Sequence, residues 1–151
     1  MKYSKLMKER IRRVRVLFAE LGYEVLDGDA HEDTYSAGFE SGEGFQGGIF
    51  IDRDSKFLEL AFTFSFSPTL SEFVRERVDE MLRICYEYGC YVNIQATQEE
   101  ISYTVFSKIY YAGLNYFSLK ETIRDFREAI EAHQDILEIN QFGKGTSSGD
   151  S

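Results

Sequence analysis

Lys56 to Phe66 constrains the fold more than any other stretch. Leu58, Leu60, Phe62, Phe64 and Phe66 occupy every second position, with Glu59, Ala61, Thr63 and Ser65 between them. Period two places the large apolar side chains on one face of a strand and leaves the other face wettable. Such a strand needs a sheet with one covered face. Its neighbours supply that sheet. Asp33 to Glu40 alternates through Tyr35, Ala37 and Phe39. Phe45 to Asp52 sets Phe45, Gly47, Ile49 and Ile51 on one side. The turns Ser41-Gly42-Glu43-Gly44 and Asp52-Arg53-Asp54-Ser55 are short enough for an antiparallel meander. Tyr91 to Thr97, a turn at Gln98-Glu99-Glu100, and Ile101 to Tyr110 form a second hairpin. Upstream, Tyr23 to Asp27 reads as a short extended piece and Gly28 to Glu32 as a loop.

Three helices complete the chain. Lys2 to Leu21 places Met7, Ile11, Val14, Phe18 and Leu21 on one stripe, with Gly22 as its C-terminal stop. After Pro68, Thr69 and Glu72 fit a capping box for a helix running to about Tyr88, where Gly89 ends it. Its apolar side is Leu70, Phe73, Val74, Val78, Met81, Leu82, Cys85 and Tyr88 or Tyr86. Ser118 and Glu121 fit a second capping box, and Leu119, Ile123, Phe126, Ile130 and Leu137 point inward from the last helix. The expected fold is an α+β two-layer sandwich in the order α-β-β-β-α-β-β-α, an antiparallel sheet with helices on one face. Residues 1–142 make one domain. The tail Gly143 to Ser151 has nothing to bury and is expected to be mobile.

Charge narrows the partners. The chain carries 17 Lys and Arg against 26 Asp and Glu, a net charge of −9. That total hides a division. Residues 1–15 hold seven Lys and Arg and one acid, while Val16 to Asp52 contains no Lys or Arg at all. The acidic body argues against nucleic acid, whose phosphates demand a basic footprint. The basic first helix reads as a solvated face that pairs with acids of the same chain or of a second copy. Apolar runs are far too short for a membrane helix, and no secretory signal is expected. Cys85 and Cys90 form neither a disulfide framework nor a zinc pattern, so a reduced cytoplasmic protein is expected.

The candidate motifs are weak. Gly42-Glu43-Gly44-Phe45-Gln46-Gly47 matches GxGxxG, but a dinucleotide site requires a preceding strand and a following helix; a hairpin connection accounts for it. Gly143-Lys144-Gly145-Thr146-Ser147 lacks the earlier glycine and the helix of a phosphate loop. Asp27, Asp29 and Asp33, with His31 and Glu32 among them, are the candidate metal ligands. Their spacing fails the EF-hand pattern, and a solvated acidic loop is expected. Cys85 reads as a packed thiol, and His133 as a cation stabilised at a helix end. No cofactor is expected, and nothing in the pattern supports an enzyme.

Gly48 to Leu60, Pro68, the helix Leu70 to Tyr88, and Tyr91-Val92-Asn93-Ile94 together resemble the bacterial YbjN-like family. So does Ala112-Gly113-Leu114 leading into Ser118 to Ile139. That family shares its fold with the class I type III secretion chaperones, which are small, acidic and dimeric. The resemblance implies a homodimer and a non-enzymatic role in protein binding. The chain departs from the family in the glycine-rich acidic stretch Asp27 to Gly48 and in the basic first helix. The expected function is to hold a partner segment against apolar patches or a sheet edge, with Phe39, Phe45, Tyr91, Tyr110 and Tyr111 as candidate contacts. The alternative is a small-molecule or divalent-metal sensor built on the acidic stretch 27–43.

Overall fold

A computed structural model describes residues 3–139. The elements are α1 (Lys5–Glu20), β1 (Tyr23–Ala30), β2 (Thr34–Ser41), β3 (Gln46–Asp52), β4 (Phe57–Phe66), α2 (Ser71–Arg75), α3 (Val78–Glu87), β5 (Tyr91–Ala96), β6 (Ile101–Tyr110) and α4 (Tyr116–Ile136). The chain is an α+β sandwich with one six-stranded antiparallel sheet in the order β1-β2-β3-β4-β6-β5. It divides into two compact units. One is formed by residues up to Ala61 with Lys108–Ile123, the other by Phe62–Ser107 with the residues from Arg124 onward.

In the first unit, Ser4 caps α1 by accepting a hydrogen bond from the Met7 amide at 3.1 Å. Met7, Val14 and Phe18 are its buried stripe, and Gly22 closes it with φ +91°. The Phe18 ring packs on Phe39 with centroids 5.0 Å apart. Phe39 lies opposite Gly47 across the β2–β3 pair, and this is why residue 47 is a glycine. A Cβ there would come within 2.9 Å of the Phe39 ring and 3.2 Å of the Ala61 carbonyl oxygen. Gly47→Ala is expected to cost about 1–3 kcal/mol through overpacking, measurable as a fall in the denaturation midpoint.

One expectation changes in this unit. The segment 28–32 is not a loop from its start: β1 runs on to Ala30, paired with β2 through a register shift between Asp27 and Ala30. An edge strand bonds on one side only, so Gly28 and Asp29 do not break it. On the basic helix, Arg12 and Arg15 pair with acids of the same chain as expected, whereas Arg10 and Arg13 turn to backbone carbonyls. Arg10 donates to the carbonyls of Asp52, Arg53 and Ser55 at 3.1, 3.1 and 2.9 Å. Arg12 pairs with Glu9 at 2.7 Å, Arg13 donates to the Leu114 carbonyl, and Arg15 meets Asp27 and Tyr35.

In the second unit, Phe62, Phe64 and Phe66 of β4 and Tyr103 and Val105 of β6 are buried, as are Met81 and Cys85 of α3 and Phe126 and Ile130 of α4. The single helix expected over 70–88 is broken. Pro68–Leu70 is a 3-10 turn whose cap is Ser67, not Thr69: Ser67 Oγ accepts from the Thr69 amide at 3.2 Å. Then α2 stops at Arg75. The Phe73 carbonyl, which would accept the Arg77 amide in a continuous helix, instead accepts the Arg77 guanidinium at 2.8 Å. The same guanidinium stacks 3.6 Å from the Phe73 ring centre. The Arg77 amide turns to the Val74 carbonyl at 2.9 Å, and α3 starts afresh.

The cap of α4, in the first unit, also shifts. Asn115 Oδ1 accepts from the Ser118 amide at 2.9 Å, and Ser118 Oγ accepts from the Asn115 amide at 3.0 Å. The reciprocal geometry is that of a capping box, with Asn115 as its first member. The tail 143–151 lies outside the described residues.

Candidate functional site

The five expected contact residues separate into buried and accessible. Phe39 and Phe45 are fully buried. Their rings meet at 6.0 Å in the core of the first unit, so neither offers a surface. Period two identified their shared face but not that α1 covers it. Tyr91 and Tyr110 are exposed. Tyr111 is half-buried with Arg10 4.1 Å from its ring centre, and burial pushes its pKa up to about 12.

The candidate metal ligands are not gathered. Asp27 accepts from Tyr35 and Arg15, and these partners hold its carboxyl below the usual range. Asp33 pairs with Arg53 at 2.8 Å, and Asp29 stays exposed on β1. Among the described residues, no group of three or more His, Cys, Asp or Glu is placed to hold a metal. With 27–30 and 34–41 in strands, the acidic stretch is sheet rather than a flexible binding loop.

A polar trio lies in the core of the second unit. His133 and Tyr103 are completely buried and Cys85 nearly so. His133 Nδ1 is 2.7 Å from the Ala129 carbonyl, which can only accept, so Nδ1 carries the proton. Nε2 then accepts from the Tyr103 hydroxyl at 3.0 Å. The Cys85 thiol lies 3.7 Å from that hydroxyl and 3.6 Å from Nε2. Burial lowers the His133 pKa and raises that of Cys85. The imidazole is therefore neutral, and the reading of His133 as a dipole-stabilised cation is corrected. A thiol and an imidazole are the residue types of a nucleophile and its base. Here both shifts oppose the thiolate–imidazolium pair that such chemistry uses. The trio satisfies buried polar groups and ties α3, β6 and α4 together.

The accessible feature of the second unit is its α3–β5 hairpin. Gly89, at φ +71°, lets the chain turn. The Cys90 amide bonds to the Cys85 carbonyl at 2.8 Å and the Gly89 amide to the Tyr86 carbonyl at 3.3 Å, a Schellman closure. Beyond it, β5 pairs with β6 from Tyr91↔Phe106 to Ala96↔Ile101 and ends the sheet. Among the described residues, the large apolar side chains exposed in this unit all fall on the hairpin: Leu82 (40%), Tyr86 (85%), Tyr91 (38%) and Ile94 (46%). Ile94 lies opposite buried Tyr103 and so shares the helix-covered face, while Tyr91 stacks on Phe106 at 5.3 Å on the other. Leu82 and Tyr86 are one turn apart on α3.

The two sheet edges differ in chemistry. β1 carries Glu24, Asp27 and Asp29, a glycine and a register shift, all devices that discourage pairing. β5, Tyr-Val-Asn-Ile-Gln-Ala, has no charge and no proline. Leu82 and Tyr86 were missed as surface residues because α3 reads as amphipathic. The signal was the width of its apolar arc: Met81, Leu82, Cys85 and Tyr86 are too broad a set for one side to bury.

No family model matches the chain, and no curated protein is similar to it. Its fold is similar to the crystal structure of an uncharacterized protein from Methanothermobacter thermautotrophicus. That match has 17% identity and a TM-score of 0.61, and covers 86% of this chain and 98% of that one. The likeness is one of fold. No helix among the described residues is long and apolar enough to cross a membrane.

Proposed function

We propose that this chain is a non-enzymatic protein-binding module that receives an extended partner segment along the free edge of β5. The observation that carries the reading is the contrast between the edges: β1 is charged and irregular, whereas β5 is uncharged and regular. Outward N–H and C=O groups of such a strand offer main-chain bonds to an added strand. Alternate side chains of that strand would find Ile94 on one face and Tyr91 on the other, with Leu82 and Tyr86 supplying apolar area nearby in the chain. The sensor alternative has less support, since Asp27 and Asp33 are engaged with arginines.

A second copy is the other occupant to consider, because two β5 strands can pair antiparallel about a twofold axis. The expected cytoplasmic location fits a chain whose cysteines are free thiols. Affinity capture tests the proposal, using wild type and Ile94→Lys as baits with mass spectrometry as the readout. A partner held by wild type and lost by the variant supports it, and equal retention by both baits overturns it. Sedimentation across a range of concentrations separates a foreign partner from self-pairing.

A further inference from the structure

The open face of the sheet in the first unit holds a hollow of about 200 Å³ lined by Phe50, Asp52, Ser55, Phe57 and Glu59. All five are half-buried. Phe50 lies opposite Glu59 in the β3–β4 pair, and alternation places Asp52 and Phe57 on the same face. The β3–β4 turn is held rigid from behind by Arg10, which binds three of its carbonyls. The hollow is therefore built from fixed strands and a braced turn.

Its walls combine two carboxylates with aromatic faces, the chemistry that attracts a partly desolvated cation. The chain already shows a cation beside it. Lys108 Nζ lies 4.8 Å from the Phe57 ring centre and 5.5 Å from that of Tyr110. Tyr110 meets Phe57 edge-on at 5.8 Å. A side chain of this same protein has thus found the aromatic pair attractive to an ammonium group. The volume suits one long side chain and not a folded surface. Residues 16–151, beyond the basic part of the first helix, carry 25 Asp and Glu against ten Lys and Arg, which favours the approach of a positively charged segment.

We propose that this hollow is a recognition subsite for a lysine or arginine side chain of a basic protein segment. The incoming cation lies against Phe57 and between Asp52 and Glu59, and Lys108 is the resident cation that it displaces. The subsite does not rest on the β5 edge, and either can fail without the other.

The test is titration of the full chain with acetyl-(Lys)5-amide, followed by amide chemical shifts and calorimetry. Shifts are expected to centre on residues 50–59 and 108–110. Glu59→Gln and Phe57→Leu should each weaken binding about threefold or more. Lys108→Met should strengthen it about threefold, whereas Lys5→Met, an equal change in net charge on an exposed helix position, should leave it unchanged. Acetyl-(Glu)5-amide should not bind. Spectra outside the hollow report whether each variant stays folded, and Glu59→Gln keeps the shape of the site. Three results would overturn the subsite: shifts spread over all acidic surfaces, equal effects of Lys108→Met and Lys5→Met, or unchanged affinity in Glu59→Gln.

Discussion

His133→Ala is expected to destabilise the chain by about 3–5 kcal/mol while leaving the surface intact. The ring is completely buried, so its removal opens a cavity beside Phe64, whose ring stacks on it at 5.8 Å. It also leaves the Tyr103 hydroxyl with only the Cys85 sulfur at 3.7 Å, a weak partner, which adds a penalty of up to about 1–3 kcal/mol for a poorly satisfied buried group. At this chain length the melting temperature should fall by about 10 °C. Tyr103→Phe removes only the hydroxyl and should cost about 1–3 kcal/mol. The double variant His133→Leu, Tyr103→Phe should cost less than the sum of its singles, because the two polar groups then vanish together. Additive losses in denaturant unfolding would mean that the hydrogen bond is not the coupling.

The same residue sets a pH dependence. Burial lowers the His133 pKa below its ordinary value, partly offset by hydrogen bonds to backbone at Ala129 and Met81. The unfolded chain therefore binds a proton on this ring at a higher pH than the folded chain does. Stability must rise with pH across that window and fall as pH drops from about 6.5 toward the folded pKa. Above the window the ring is neutral in both states and contributes no slope. His133→Gln keeps a neutral acceptor for Tyr103 and cannot titrate. The stability difference between wild type and this variant should shift in favour of the variant between about pH 6.5 and 5. Parallel curves over that range would contradict a buried neutral imidazole.

How much of this was legible depended on whether the information was local. The face of β4 and the limits of β6 follow from alternation within one strand, and the buried stripe of α1 from spacing within one helix. The break between α2 and α3 does not, because it turns on whether a guanidinium or an amide takes the Phe73 carbonyl. The polar trio joins residues 18, 30 and 48 positions apart, beyond any motif window. Phe39 and Phe45 were placed on the right face but assigned to the surface, since alternation identifies a face and not its cover. The proposed binding surface was half legible. Tyr91 was visible as an exposed aromatic. The vulnerability of β5 emerged only once the strand order made it an edge.

The second large effect concerns that edge. Ile94→Lys places a charge in the middle of a strand whose lack of charge is the basis of the proposal. Lysine on an edge strand opposes pairing with another chain, and loss of an apolar contact of this kind costs about 1–2 kcal/mol in an interface. Partner affinity should fall about tenfold or more. Tyr86→Ser should weaken it less, through lost apolar area alone. Both positions are exposed, so stability should stay within about 0.5 kcal/mol of wild type. A variant that binds poorly because it is unfolded is thereby distinguished from one that has lost the edge.

Amide hydrogen exchange over Tyr91–Ala96, compared between the free protein and its complex with a captured partner, tests the central claim most directly. An added strand must bond to the outward amides of β5. The account predicts that these amides exchange far more slowly in the complex, while those of β1 do not change. Protection confined to other elements, with β5 exchanging as it does in the free protein, would contradict it.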